Sequence, residues 1–166
     1  MQRRQAVAVL AAGTLLSGLS PELFASAAKT APIDTIFAQG DINPYSKFFT
    51  GTTYLTMVSE NDPVYHCPIG NVTFEPGART FWHKHSGGQI LLVLAGEGRI
   101  QIRGEPASVI KKGDIVRIPP NAEHWHGAAA GSWMTHLSIE PNVPGNQSTW
   151  LEAVTDADYA AATAKK

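Results

Sequence analysis

The stretch GARTFWHKHSGGQILLVLAG, residues 77–96, decides how this chain folds. It is rich in aromatic and branched apolar residues, a composition typical of β-strands. Side chains alternate between the two faces of a strand, so His83 and His85 project from one face at a spacing of roughly 6–7 Å. Gln89 follows in the same stretch. Imidazole nitrogens and an amide oxygen are ligands that divalent transition metals accept, so this stretch predicts a metal site on a sheet.

A second histidine pair, His124 and His126, lies further along the chain. In a regular strand these two residues also share one face. An imidazole from this strand would complete a site begun by His83 and His85. The single cysteine, Cys67, has no second cysteine with which to form an intrachain disulfide or a thiolate site. The ligands are therefore expected to be nitrogen and oxygen.

Short segments with β-strand composition fill the chain between residues 48 and 140. The predicted strands are 48–58, 64–69, 71–74, 79–85, 89–94, 98–103, 108–110, 115–118 and 134–140. Turn sequences separate them, among them Gly96-Glu97-Gly98. Many short strands at this spacing favour a β-sandwich or barrel. Thr155 and Asp158 have the spacing of a helix N-cap, which predicts a short C-terminal helix over 156–163.

Two spaced motifs occur in order within this region. They consist of Gly77, His83, His85, Gln89 and Gly96, followed by Gly113, Pro119, Asn121 and His124. Their spacing resembles that of the two motifs of the cupin superfamily. Gln89 stands where most members have Glu, and Asn121 stands where most have Gly, although Asn also enters left-handed turns. The resemblance implies an all-β, single-domain cupin fold, the double-stranded β-helix or jelly-roll barrel, with a short C-terminal helix.

Longer stretches resemble a narrower group. Segments 72–105, 124–128, 134–140 and 150–159 are similar to small bacterial manganese cupins of the hydroxynitrile lyase and carboxymuconolactone decarboxylase-like group. Residue by residue, this resemblance implies metal ligands and neighbouring pocket histidines: His83, His85, Gln89 and His124 as ligands, with His126 and His136 beside them. It implies Mn²⁺ as the metal, with Fe²⁺, Zn²⁺, Co²⁺, Ni²⁺ or Cu²⁺ as alternatives. It also implies a small-molecule substrate and a homodimer.

A glutamine ligand changes the chemistry expected of the site. Three neutral imidazoles and a neutral amide leave the full double charge on the ion, whereas a Glu ligand would cancel one unit. Such an ion acts strongly on a hydroxyl or carbonyl oxygen, as in a cyanohydrin that loses a proton and expels cyanide. The expected enzyme is a metal-dependent lyase. Its base would be His126 or His136, since an imidazole titrates near neutral pH.

Other functions are compatible with the same residues. An O₂-dependent cupin dioxygenase or oxidase would use three histidines around iron or copper. A non-catalytic cupin would bind a metal or a small molecule without turnover. Structural roles also stay open for Gln89, as a hydrogen-bonding neighbour of the metal, and for His136, as a buried histidine bonded to a backbone carbonyl.

The N-terminus has the pattern of an export signal. Arg3 and Arg4 precede the apolar run 6–19, and small residues at 25–27 offer a cleavage site. The adjacent arginines resemble a twin-arginine signal, whereas a retained membrane anchor would need about 20 apolar residues. The chain is thus divided into a signal peptide at 1–27, an N-terminal extension at 28–47 and a cupin domain at 48–166. The mature protein is expected to be periplasmic or secreted, without stable membrane association.

Composition and charge narrow the expected partners. Hydrophobic residues make up 43% and charged residues 16% of the chain, which is enough apolar surface for one core. The formal net charge of −1 becomes −2 without Arg3, Arg4 and Glu22, which argues against nucleic-acid binding. Trp82 and Trp125 alternate with the histidines, so both indoles face away from the metal. They need cover from the sandwich layer or from a second subunit.

Overall fold

The computed structural model describes residues 31–141 and 145–163. Its strands are β1 (Asp41–Ile42), β2 (Phe49–Thr50), β3 (Thr53–Ser59), β4 (Ile69–Phe74), β5 (Arg79–Thr80), β6 (His83–His85), β7 (Gln89–Ile102), β8 (Ser108–Lys111), β9 (Ile115–Ile118), β10 (His124–Ala128), β11 (Met134–Ile139) and β12 (Ser148–Trp150). A 3₁₀ helix spans Ser46–Phe48, and helix α1 spans Asp156–Thr163. Neither helix in these two segments is long and apolar enough to cross a membrane. The predicted signal peptide, residues 1–27, lies outside the described residues.

The strands form one antiparallel sheet that curls into a barrel. Its main order is β1-β3-β4-β11-β7-β10-β5-β2, while β8 and β9 pair with β7, and β6 pairs with β10 and β12. β7 is the central strand, because its first half pairs with β9 and β11 and its second half pairs with β8 and β10. This is the all-β barrel with a short C-terminal helix that the sequence predicts.

β7 corrects one prediction. The sequence predicts two strands separated by a turn at Gly96-Glu97-Gly98, but the structure has a single strand of 14 residues. Gly96 has a φ of 74°, and a Cβ at this position would lie 1.8 Å from the carbonyl oxygen of Trp133. A glycine in the left-handed conformation can form a bend within a strand as well as a hairpin turn. Here β7 bends beside β11, and the chain does not reverse its direction.

The predicted strand 64–69 is wrong except at its last residue. The Oδ1 atom of Asp62 accepts hydrogen bonds from the backbone N–H groups of Val64 and Tyr65, at 2.8 and 2.9 Å. His66 then has a φ of 47°. The side chains of Val64 and Tyr65 are 73% and 70% exposed, so no packing favours an extended strand. The turn around Asp62 therefore outcompetes the β propensity of these residues.

Smaller differences concern where strands begin and end. The predicted strands 48–58 and 79–85 are each divided, into β2 with β3 and into β5 with β6. β12 has no counterpart among the predicted strands, and β1 lies in the predicted N-terminal extension but pairs with β3. Asn121 has a φ of 61°, the left-handed conformation expected where it replaces a glycine.

Alternate side chains of β7 point into the barrel. Gln89, Leu91, Val93 and Ala95 are buried, whereas the residues between them are half-buried. Leu91 and Val93 belong to an apolar core with Val72, Phe74, Ile100, Ile110, Ile118 and Met134. The alternation that builds this core also turns Gln89 inward at the start of the strand.

The C-terminal segment covers the outer face of the two histidine strands. Trp82 and Trp125 pack with Val154 and Tyr159 in a second apolar cluster. The chain itself thus provides the cover that the sequence requires for these indoles. The homodimer stays a prediction.

Arg79 ties the C-terminal segment to the barrel. Its buried guanidinium donates a hydrogen bond to the carbonyl oxygen of Val154 at 3.0 Å and pairs with the carboxylate of Asp156 at the start of α1. The guanidinium also lies 4.5 Å from the centre of the Tyr159 ring. One side chain therefore contacts three points of the segment that shields Trp125.

We expect Arg79→Ala to lower the free energy of unfolding by about 2–3 kcal/mol, because it removes buried hydrogen bonds and a ring contact. Asp156→Ala is the matched control. It removes an ion-pair partner that is 95% exposed, so its cost should stay below about 1 kcal/mol. Denaturant titration measures both. Equal losses in the two variants would contradict a buried anchoring role for Arg79.

Candidate metal centre

Three histidines converge inside the barrel. His83 and His85 lie on β6, and His124 lies on the neighbouring β10, directly opposite His83. All three are buried, and one ring nitrogen from each lies within 4.8 Å of the others. The centres of the His83 and His124 rings are 4.1 Å apart. The structure therefore brings together the three histidines that the sequence proposes as ligands, in a cluster that could hold a metal ion.

Gln89 approaches this cluster from β7. Its side chain is buried, and its Oε1 atom lies 3.1 Å from Nε2 of His124. Its Nε2 atom donates a hydrogen bond to Oγ of Ser138 at 2.8 Å. The amide oxygen thus points toward the histidines and the amide nitrogen points away from them.

Backbone carbonyls fix the tautomers of two histidines. Nδ1 of His83 lies 3.0 Å from the carbonyl oxygen of Phe81, and Nδ1 of His124 lies 2.9 Å from that of Ala122. Because a carbonyl oxygen only accepts, each Nδ1 carries the proton. In both neutral rings, the lone pair therefore lies on Nε2.

His85 is held in the same way by side chains. Its Nδ1 lies 3.0 Å from Oγ of Ser148 and 3.8 Å from a carboxylate oxygen of Glu140, which favours a proton at Nδ1. Its Nε2 is buried and makes no hydrogen bond. All three histidines thus present an unprotonated Nε2, as metal-binding histidines do.

The contact between His124 and Gln89 tests whether the residues fit a cation. Nε2 of His124 and Oε1 of Gln89 are both acceptors in the arrangement described, yet they lie 3.1 Å apart. Two facing lone pairs repel each other unless a positive charge lies beside them. Three imidazoles and one amide oxygen also form a donor set suited to a divalent transition metal. The residues present therefore fit such an ion.

Burial keeps these imidazoles neutral. It lowers the pKa of His83 well below its usual value, and the neighbouring His124 and His85 lower it further. The pKa of His85 falls to about 4 through burial and then through His124, and burial lowers the pKa of His124. At neutral pH the three rings are unprotonated and need not lose a proton to bind a metal.

The two other pocket histidines lie beside the cluster but differ in exposure to the cavity. His126 follows His124 by two residues on β10, and its ring centre lies 5.4 Å from that of His83. The His136 ring lies 4.9 Å further on, packed against Phe74. His126 lines the cavity and His136 does not. Burial lowers the pKa of His126 well below its usual value and lowers that of His136 to about 4.

The cavity has a volume of about 370 Å³ and reaches the proposed ligands His83, His85 and Gln89. Much of its wall is apolar, with Phe49, Leu55, Val72, Phe74 and Trp150. Among the described residues that line it there is no Lys or Arg, and the acidic side chain is Glu140, whose pKa burial raises. The cavity therefore suits an uncharged, partly apolar molecule.

The sequence motifs do not include three polar residues of the site. Ser138 accepts a hydrogen bond from Gln89, and Ser148 and Glu140 lie beside His85. Ser138 follows His136 by two residues, so strand alternation offered a signal for it. Ser148 offered none, because it reaches His85 across 63 residues of chain from a strand that the composition does not mark.

Comparison with known proteins agrees with this geometry. The family model described as "Cupin domain" matches residues 70–139. A relative named (R)-mandelonitrile lyase, from Granulicella tundricola, is 43% identical over 118 residues, which cover 68% of this chain and 86% of that protein. This chain belongs to the cupin family. The resemblance carried by the two sequence motifs is thereby confirmed.

Solved cupin structures share the fold. A cupin-like protein from Thermotoga maritima is 46% identical, with a TM-score of 0.76, and the match covers 80% of this chain and 100% of that one. A cupin 2 conserved barrel domain protein from Rhodopseudomonas palustris is 18% identical, with a TM-score of 0.54 and coverage of 77% and 80%. The second match concerns the fold alone. Together they confirm the jelly-roll barrel.

We expect the metal-free cupin to lose stability as the pH falls below about 6.5, the usual pKa of histidine. The folded-state pKa values of His85 and His136 are about 4. Between those values the unfolded chain binds more protons, so unfolding is favoured as the pH falls and stability is complete only above the window. By about pH 5.5 each of these two histidines should cost roughly 1 kcal/mol.

Denaturant titration of the metal-free protein at neutral pH and at about pH 5.5 measures this loss. His136→Gln removes one of the titrating groups, so this variant should show a smaller difference between the two conditions. An identical free energy of unfolding at both pH values in the unaltered protein would contradict the expectation.

Proposed function

We propose that this cupin is an exported, metal-dependent lyase that cleaves or forms small cyanohydrin-like hydroxy compounds, with Mn²⁺ as its metal. The observation that best supports this is the position of His126. Its ring is buried in the wall of the cavity that reaches the proposed ligands, and neither of its ring nitrogens makes a hydrogen bond. A neutral imidazole with two unpaired nitrogens thus lies at that point of the cavity wall. The relative named (R)-mandelonitrile lyase supports the same class of reaction.

A divalent ion held by His83, His85, His124 and Gln89 would supply a Lewis acid for the substrate oxygen, undiminished by any negative ligand. The chain supplies the other requirements. The Nδ1 hydrogen bonds of His83 and His124 fix the ring orientations in advance. The apolar wall that includes Phe74 and Trp150 limits the access of water to the reacting atoms.

His126 would carry the proton through the reaction. It accepts the hydroxyl proton of the cyanohydrin, and the carbon–oxygen bond becomes a carbonyl as the carbon–cyanide bond breaks. The bonding electron pair leaves with cyanide, which then takes the proton from the His126 imidazolium and departs as hydrogen cyanide. In the synthetic direction His126 removes the proton from hydrogen cyanide and returns it to the new hydroxyl. The depressed pKa of His126 supports a ring that begins the cleavage unprotonated.

The cavity also bears on the class of substrate. Beyond the proposed metal ion, the cavity offers a carboxylate substrate no Lys or Arg among the described residues, and it presents the acidic Glu140. This slightly disfavours decarboxylation and lactone isomerisation. The aromatic rings of Phe49 and Trp150 lie 5.8 Å apart at the wall and favour a substrate with an apolar or aromatic group.

Export and assembly complete the proposal. The signal-like residues 1–27 support a periplasmic or secreted protein. The resemblance to small bacterial cupins supports a homodimer. Oxygen uptake during turnover would instead favour the dioxygenase alternative, because a cyanohydrin lyase consumes no O₂.

We expect His126→Ala to retain bound Mn²⁺ but to lower turnover of mandelonitrile by roughly 100-fold or more, the usual contribution of a positioned base. Cyanide release and metal content are measured on the same samples. His66→Asn is the control, because it alters an exposed histidine in the turn that follows Asp62. It should leave both readouts unchanged. Full turnover in His126→Ala would exclude His126 as the base.

A second prediction concerns the charge of the ligand set. Gln89→Glu should keep the metal but lower turnover, because one carboxylate cancels one unit of the charge that acts on the substrate. Gln89→Ala should lower metal occupancy and turnover together, because it removes a ligand. Metal content and cyanide release again separate the two effects. An unchanged rate in the Glu variant would refute the argument from charge.

A further inference from the structure

We infer that Ser138 is a positioning residue that makes Gln89 an oxygen ligand. The inference rests on the metal site of the proposed function and adds the group that orients its fourth ligand. A carboxylate offers the same atom at both ends, but an amide does not. With Oε1 toward the histidines Gln89 can ligate a cation, whereas with Nε2 toward them it presents N–H groups that repel one. A glutamine at this position therefore gains from a partner at the outer end of the amide that accepts a hydrogen bond from Nε2 while Oε1 faces the histidines.

The described structure provides that partner on β11. Nε2 of Gln89 donates a hydrogen bond to Oγ of Ser138 at 2.8 Å, while Oε1 lies 3.1 Å from Nε2 of His124. Ser138 pairs in register with Leu91 of β7, two residues beyond Gln89, so the sheet itself fixes the distance between hydroxyl and amide. Both side chains line the cavity wall.

The reversed orientation of the Gln89 amide would prevent His124 from binding a metal. Nε2 of Gln89 would then donate to Nε2 of His124, whose own Nδ1 donates to Ala122. That hydrogen bond would occupy the lone pair of His124 that a metal needs. The two orientations therefore compete for the same atom, and a ligand set with four donors exists only in the orientation with oxygen inward.

Ser138 favours the orientation of Gln89 that binds a metal, because the hydrogen bond from Nε2 to Ser138 and the bond from Oε1 to the metal strengthen each other. A cation at Oε1 draws electron density from the amide and makes its N–H a stronger donor. The hydrogen bond to Ser138 is then stronger in the metal-bound protein than in the metal-free protein. Removing the hydroxyl should thus weaken metal binding, in the way that hydrogen-bonding partners of metal ligands commonly contribute about tenfold or more to affinity.

Mn²⁺ titration of the metal-free full chain, with free Mn²⁺ followed by electron paramagnetic resonance, tests this inference. We expect Ser138→Ala to raise the Kd for Mn²⁺ about tenfold, and Ser138→Thr to stay close to the unaltered protein because it keeps the hydroxyl. Thermal unfolding of each metal-free variant shows that the barrel is intact. The readout is binding, so it does not depend on catalysis.

Gln89→Glu provides the matched background. A carboxylate presents an oxygen in either orientation, so adding Ser138→Ala to Gln89→Glu should change the Kd by less than about threefold. An equal loss in both backgrounds would show a general structural effect and overturn the inference, as would an unchanged Kd in Ser138→Ala alone. If the unaltered chain binds no Mn²⁺ or other divalent metal, the proposed site fails instead, and the inference fails with it.

Discussion

Acceptor atoms gathered at one point inside the barrel are the constraint on which the rest of this cupin depends. Nε2 atoms from three histidines and Oε1 of Gln89 lie close together, and none of them carries a proton to donate. In His124, for example, the proton lies on Nδ1, which donates to the carbonyl oxygen of Ala122. Such an arrangement is costly in an apolar interior unless a cation is present. The strands hold it in place because each ring is fixed from its far side, by a carbonyl or a hydroxyl. The candidate metal site is thus defined as much by its outer hydrogen bonds as by the candidate ligands themselves.

β7 connects this site to the hydrophobic core. One strand carries the amide ligand at its start and core residues further along, so the packing of Leu91 and Val93 also sets the position of Gln89. On the opposite side, β6 and β10 pair directly and place His83 opposite His124. Rigid strands rather than loops therefore carry the four candidate ligands, which favours a site with little freedom to adapt its geometry.

The sequence was sufficient for the parts of the site that depend on local spacing. His83 and His85 share a face because strands alternate, and the motif spacing placed His124 with them. The sequence was not sufficient where the same local pattern is compatible with two different backbone structures. Glycines at 96 and 98 indicate a turn as readily as a bent strand, and Asp62 converts a β-like segment into a turn. Contacts such as that between Ser148 and His85 join distant parts of the chain and leave no local pattern.

The order in which the chain is synthesised matters for the C-terminal segment that covers Trp82 and Trp125. Val154 and Tyr159 shield the indoles of Trp82 and Trp125, and the Arg79 guanidinium bonds Val154 and Asp156 of that same segment. On the ribosome, Trp82 and Trp125 emerge before the residues that shield them. A nascent or prematurely terminated chain would expose both indoles and would leave the Arg79 guanidinium without Val154 and Asp156, a surface suited to recognition by chaperones or proteases. Cover of both indoles therefore depends on synthesis that reaches Val154 and Tyr159.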